Sequence, residues 1–119
     1  MTRRTTLLRL ADILAAAEGI AQSLKGKTLE QYKNDWPTRA AIERGFEIIS
    51  EASRHLAVET KDRHPDIPWA KVAAIGNILR HEYHRVAADA LWALAHDELL
   101  TLAEACRAEF ARLEAEEGK

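Results

Sequence analysis

Apolar residues recur at three- and four-residue intervals along almost the whole chain, and nowhere do they alternate with period two for long enough to argue a strand. In residues 7–24 the series Leu7, Leu10, Leu14, Ala17, Ala21 and Leu24 makes one helical seam, and Gly26 is its stop. Thr28-Leu29-Glu30-Gln31 has the form of a capping box, with Thr28 as N-cap and Gln31 reaching back. A short helical turn follows and ends at Asn34-Asp35. Pro37 suits the first turn of a second long helix. Its buried stripe is Ile42, Phe46, Ile49, Ser53 and Leu56, and it fades near Thr60. Residues 61–66 read as a polar loop. Pro68 opens a third helix with Val72, Ile75, Leu79 and Val86 on one side. From about Ala88 a fourth helix carries Trp92, Ala95, Leu99, Leu102, Cys106, Phe110 and Leu113, and residues 114–119 fray at its end. The pattern predicts an all-α fold: an antiparallel bundle of four main helices plus a short helix, in one domain spanning residues 1–119.

Composition agrees with that reading and narrows it. A chain of 119 residues has room for one core, and 47% hydrophobic with 30% charged residues is a globular balance. The net charge of −2 lacks the basic excess of an autonomous nucleic-acid binder, so any RNA contact must use a local basic patch. The single cysteine, Cys106, rules out an intrachain disulfide and points to the cytosol; its place in an apolar seam predicts a buried, inert thiol. The N-terminal residues 1–6 are basic, but Asp12 and Glu18 interrupt any signal-like or membrane-spanning stretch. There is no internal repeat, phosphate-cradling glycine loop, CxxC or nucleophile elbow.

The candidate chemistry concentrates in residues 76–85, which hold Arg80, His81, Tyr83, His84 and Arg85 in ten positions. Such groups bind phosphate and move protons near neutral pH. On a continuous helix Asn77, His81 and His84 share one face, and Gly76, Arg80 and Tyr83 share the next. Elsewhere, Glu43, Glu47 and Glu51 repeat every four residues near His55. No second helix offers a matching Glu-x-x-His element, so this face is expected to be salt-bridged to Arg44, Arg54 or a partner rather than to hold a metal. Trp36, Trp69 and Trp92, at helix starts or seams, are expected to pack.

His81-x-Tyr83, with Asn77 a helical turn before it, resembles the motif of the HepT-like branch of the HEPN superfamily. Residues 10–14, residues 38–44, residues 47–52, the Ile67-Pro68-Trp69 helix start and Trp92 fit the same branch in order and spacing. The resemblance implies a metal-independent endoribonuclease without a cofactor, acting in the cytoplasm as the toxin of a bacterial toxin–antitoxin pair. It implies a homodimer whose two motifs meet, and a nucleotidyltransferase antitoxin that transfers AMP to the motif tyrosine. Carried over, His81 is the catalytic histidine, Tyr83 the modified tyrosine and Asn77 the polar residue of the motif. Apart from the resemblance, Asn77, His84 and Arg85 are candidates for contact with RNA or with the residues that touch it.

One position departs from the family pattern. The motif arginine should stand five residues before His81, where this chain has Gly76. Helical side chains lean toward the N-terminus, so Arg80 reaches back over the notch that a glycine leaves. Arg80, or Arg85 from either protomer, is expected to supply the missing charge. The competing expectation is a HEPN-fold module that binds a nucleotidyltransferase or a nucleotide without cutting RNA.

Overall fold

The first two helices start at threonine caps, where free amides find a side-chain partner. The computed structural model describes residues 2–81 and 84–117, with the backbone alone described for residues 84–87 and 117. In α1 (Arg3–Leu24) the Thr2 hydroxyl accepts from the Thr5 amide at 3.1 Å. Gly26 follows the helix with φ of 75°, a left-handed turn that glycine adopts without strain. The Thr28 capping box of α2 (Leu29–Lys33) is complete: the Gln31 amide donates to the Thr28 hydroxyl at 3.1 Å, and the Thr28 amide to the Gln31 side chain at 2.9 Å. Pro37 lies in the first turn of α3 (Trp36–Arg54), and α4 (Val58–Asp62) is a single short helix. Trp69–His81 form α5, His84–Asp97 form α6 and Leu99–Glu117 form α7. The described residues are therefore all-helical, with the four-helix bundle that the periodicity predicts.

Several boundaries differ from the expectation. The second long helix ends at Arg54, not near Thr60, because the His55 and Leu56 amides turn back to the Ala52 and Ser53 carbonyls at 3.1 and 3.2 Å. That tightening swings Leu56 into the core. Helix α5 is described as far as His81 and α6 from His84, so Val86 belongs to α6. The fourth helix is itself divided at Glu98, although Glu98 and Leu102 still donate to Leu94 and Glu98 at 3.0 Å each. The C-terminal turn does not fray before Glu117; Arg112 Nη1 and Glu116 Oε1 pair across it at 2.6 Å.

Helix α3 packs between α1 and α5, and α1 packs on its other flank against α7. Ile13 and Ile20 fill the α1 seam where Leu14 and Ala21 were expected; Leu14 is half-buried and Ala21 exposed. The predicted stripe is buried at Ile42, Phe46, Ile49 and Ser53 within α3 and at Leu56 just beyond its end. Burying each large aliphatic side chain contributes about 1.5–3 kcal/mol. Gly45 permits the close approach of α1 and α3, since a Cβ there would stand 2.7 Å from Ile20 Cγ1. Helix α6 returns along α5, bringing Glu98 to 3.6 Å from Lys71. Helix α2 closes over α6 through Tyr32, whose ring stacks on Trp92 at 5.8 Å, and through Lys33–Asp89 at 2.7 Å.

Trp69 is half-buried and its indole donates to the His64 carbonyl at 3.0 Å. Trp36, by contrast, is 70% exposed and does not pack, because it sits on the outer side of the first turn of α3.

Candidate functional site

The last three turns of α5 lie across α3, and a serine holds the crossing. Ser50 is buried, donates its hydroxyl proton to the Ala73 carbonyl at 2.8 Å and accepts from the Gly76 amide at 3.0 Å. Arg54 adds two bonds to the same Ala73 carbonyl, from Nε at 3.3 Å and Nη2 at 3.2 Å. At Gly76 the helices are so close that an added Cβ would meet Ser50 Oγ at 3.1 Å. The same Cβ would stand 3.5 Å from Arg80 Nη1. The Arg80 guanidinium thus folds back over Gly76, to within contact of the point where a side chain at 76 would begin.

A groove of about 200 Å³ opens at this point between the two helices. Its α3 wall is Arg44, Glu47, Ser50, Glu51 and Arg54, and its α5 wall is Gly76 and Arg80. The glutamates are salt-bridged as expected for this face. Glu47 lies 3.4 Å from Arg44, and Glu51 lies 3.0 Å from His55 Nε2 and 4.0 Å from Arg54 Nη1. The hydrogen bond from His55, followed by the nearby charges of His55, Arg54 and Arg9, holds the Glu51 carboxyl below its ordinary pKa. Arg80 makes no ion pair among the described residues.

Asn77 and His81 are exposed on the adjoining face of α5, and Arg80 with His81 occupies its last turn. Cations there interact favourably with the negative end of the helix dipole. Arg80, Asn77 and His81 therefore stand together at the end of one helix, with Gly76 beneath. Tyr83 lies outside the described residues, as do the side chains of His84 and Arg85. The backbone of those two is described within α6, and the expected alignment of His84 with Asn77 and His81 runs through residues outside the described ones. Sequence reasoning passed over Ser50 and treated Arg44 and Arg54 only as salt-bridge partners. The available signal was a small polar residue set among Phe46, Ile49 and Ser53 on a buried stripe, which marks a helix crossing closed by hydrogen bonds.

The approach to α5 is pinned by a second cluster. Glu109, buried on α7, accepts from Arg63 at 2.8 Å through both oxygens, from His64 at 3.0 Å and from Arg112 at 3.1 Å. These bonds, Arg63 foremost, hold its carboxyl down to about 2. The loop between α4 and α5 is fixed by them. Cys106, one turn earlier on the same face, is buried and its thiol pKa is pushed up to about 12 by that burial. Among the described residues no group of three or more His, Cys, Asp or Glu side chains is placed to share a metal ion. No described helix is long and apolar enough to cross a membrane.

Guanidiniums recognise phosphate oxygens with paired N–H donors, and an imidazole can accept or donate a proton. The arrangement suits a phosphodiester. Similarity to known proteins points the same way. A Thermococcus cleftensis protein named "Probable ribonuclease HepT" is 33% identical over 93 residues, which cover 78% of this chain and 84% of the relative. A Methanocaldococcus jannaschii protein named "Putative RNase MJ1380" is 29% identical over 99 residues, covering 83% and 91%. No solved structure matches the chain. The family described as Ribonuclease HepT-like matches residues 13–109, a span that takes in the bundle from α1 to α7 together with the Gly76–His81 site, and the chain belongs to that family.

Proposed function

We propose that the protein is a metal-independent endoribonuclease, the cytoplasmic toxin of a toxin–antitoxin pair, in which Arg80 takes the place of the family's motif arginine. The observation that carries this reading is the position of Arg80 Nη1, 3.5 Å from the point where a side chain at 76 would start. The charge is retained although the residue has moved by one helical turn. The names of the relatives, a ribonuclease and an RNase, support the same activity.

In this reading two protomers set their α5 ends together around one RNA strand. The ribose 2′-OH attacks the adjacent phosphorus, the bond to the 5′-oxygen breaks, and a 2′,3′-cyclic phosphate and a 5′-OH result. His81 accepts the 2′-OH proton, and a second imidazole returns a proton to the leaving oxygen. Arg80 neutralises the non-bridging oxygens as charge builds on them. Dependence on the 2′-OH restricts the enzyme to RNA. Silencing follows if a nucleotidyltransferase antitoxin modifies Tyr83. The phenol oxygen attacks the α-phosphorus of ATP, pyrophosphate leaves, and the AMP now beside His81 repels RNA phosphate and fills the site.

The test is expression of the chain alone in a bacterium. Growth arrest with RNA breakdown, both abolished by His81→Ala, is expected; normal growth and intact RNA with folded protein overturn the nuclease. Co-expression with the nucleotidyltransferase is expected to add the mass of AMP to the intact protein and not to a Tyr83→Phe variant. An unmodified mass rejects that form of silencing. The glycine at 76 favours a second reading, a non-cleaving module that binds the nucleotidyltransferase. It predicts normal growth together with a stable complex of the two proteins.

A further inference from the structure

The groove between α3 and α5 has chemistry that the cleavage step does not use. Its charges are unevenly compensated. Glu51 is held by His55 at 3.0 Å, while Arg54 Nη1 stands 4.0 Å from it, a weak contact for an ion pair. Arg44 and Glu47 are paired at 3.4 Å, and both are largely exposed. Exposed pairs of this kind are worth at most about 1 kcal/mol, so an incoming anion competes with them readily. Arg54 is also anchored to the backbone of α5. Its Nε and Nη2 are tied to the Ala73 carbonyl at 3.3 and 3.2 Å, which fixes the guanidinium plane and leaves Nη1 4.0 Å from Glu51 of the groove wall. The missing Cβ at Gly76 keeps the floor open, and Arg80 closes the rim nearest His81.

We propose that this groove is a subsite for the RNA phosphate next to the scissile one, held by Arg54 with Arg44 at its outer edge. The proposal rests on the reading of the protein as an RNA-cleaving enzyme for the identity of its ligand. The backbone of a single RNA strand leaves the His81 face, passes Arg80 and places its next phosphate against Arg54. The volume of about 200 Å³ accommodates a phosphodiester and its adjoining sugar atoms, whereas a duplex cannot enter a cleft between two packed helices. Glu47 and Glu51 stand on the same wall, so the track admits one phosphate and repels a denser array of charge. This local basic site reconciles RNA binding with a net charge of −2.

The experiment uses the full chain carrying His81→Ala, so that RNA stays intact, and follows fluorescence anisotropy of a labelled single-stranded RNA over a series of KCl concentrations. Arg54→Ala is expected to weaken binding severalfold and to lower the slope of log K against log salt by about 0.7, the loss of one phosphate contact on a single strand. Arg54→Lys, which keeps the charge, is expected to restore most of the slope. Arg44→Ala leaves the Ala73 bonds untouched and so keeps the test valid if Arg54→Ala disturbs the helix crossing; it is expected to shift the slope in the same direction. Binding and slopes equal to the parent in both alanine variants overturn the subsite, as does a parent that binds no RNA. Cleavage is read separately with His81 intact. RNA left whole, beside slopes that fall in the variants, rejects the nuclease and leaves the subsite standing.

Discussion

Gly76 changes meaning once its neighbours are known. In the sequence it is the absence of an arginine. In the fold it is a residue whose amide donates to a buried serine and whose missing Cβ lets α5 approach α3. The place of Arg80 beside Gly76 was legible from helical geometry, because a side chain at 80 leans back over 76. The reason for the glycine was not, since a contact between helices leaves no mark on the periodicity of either. Ser50 carries that contact, and Ser50→Ala removes both its bonds while leaving the Gly76 amide without its side-chain partner. A stability loss of about 1–2 kcal/mol is expected in urea titration, and an unchanged midpoint would contradict it. Cys106 offers a simpler check. Its thiol pKa of about 12 and its burial predict no reaction with a disulfide reagent at mildly alkaline pH until the protein is unfolded. Rapid labelling of the folded protein would show the thiol to be accessible.

At the level of elements, the seam of α3 and the capping box of α2 were both readable, because each depends on residues three or four apart. The end of α3 and the divisions around α6 depend instead on where the chain must turn to bury Leu56 and to bring Glu98 back to Lys71. Glu109 is the clearest failure of pattern. It lies three residues after Cys106 and four before Leu113, on the buried face, yet a carboxylate reads as solvent-facing unless its cations are known. They come from Arg63 and His64, forty-five or more positions away, and from Arg112 beside it. A carboxyl held at about 2 rather than its ordinary 4.5 adds stability that is complete above the ordinary value and is lost as pH falls toward 2. The contribution is on the order of 2–3 kcal/mol, allowing for the partial exposure of its partners. Glu109→Gln is therefore expected to lower stability by that amount at neutral pH and to flatten the acid limb between about pH 5 and 2. A variant whose acid unfolding curve overlays the wild type would disprove the assignment. Because the same loop leads into α5, the loss is also expected to reduce activity before it unfolds the protein.

For the whole molecule, the bundle places a buried crossing closed by hydrogen bonds beneath an exposed set of cations, with the catalytic candidate at the described end of α5. That arrangement explains how a chain with a slight acidic excess could address RNA, through one groove rather than through its overall charge. It also supports the proposal that a family protein without the motif arginine keeps its chemistry, because Arg80 Nη1 stands 3.5 Å from the point where a side chain at 76 would begin. The most direct test is cleavage of a labelled single-stranded RNA by the purified protein in EDTA, comparing wild type with Arg80→Ala. Loss of a donor aimed at developing charge typically lowers a rate by about 10²–10³-fold. The wild type is expected to cut without metal and Arg80→Ala to fall by about that factor while remaining folded; an Arg80→Ala protein that cuts as fast as the wild type would contradict the account.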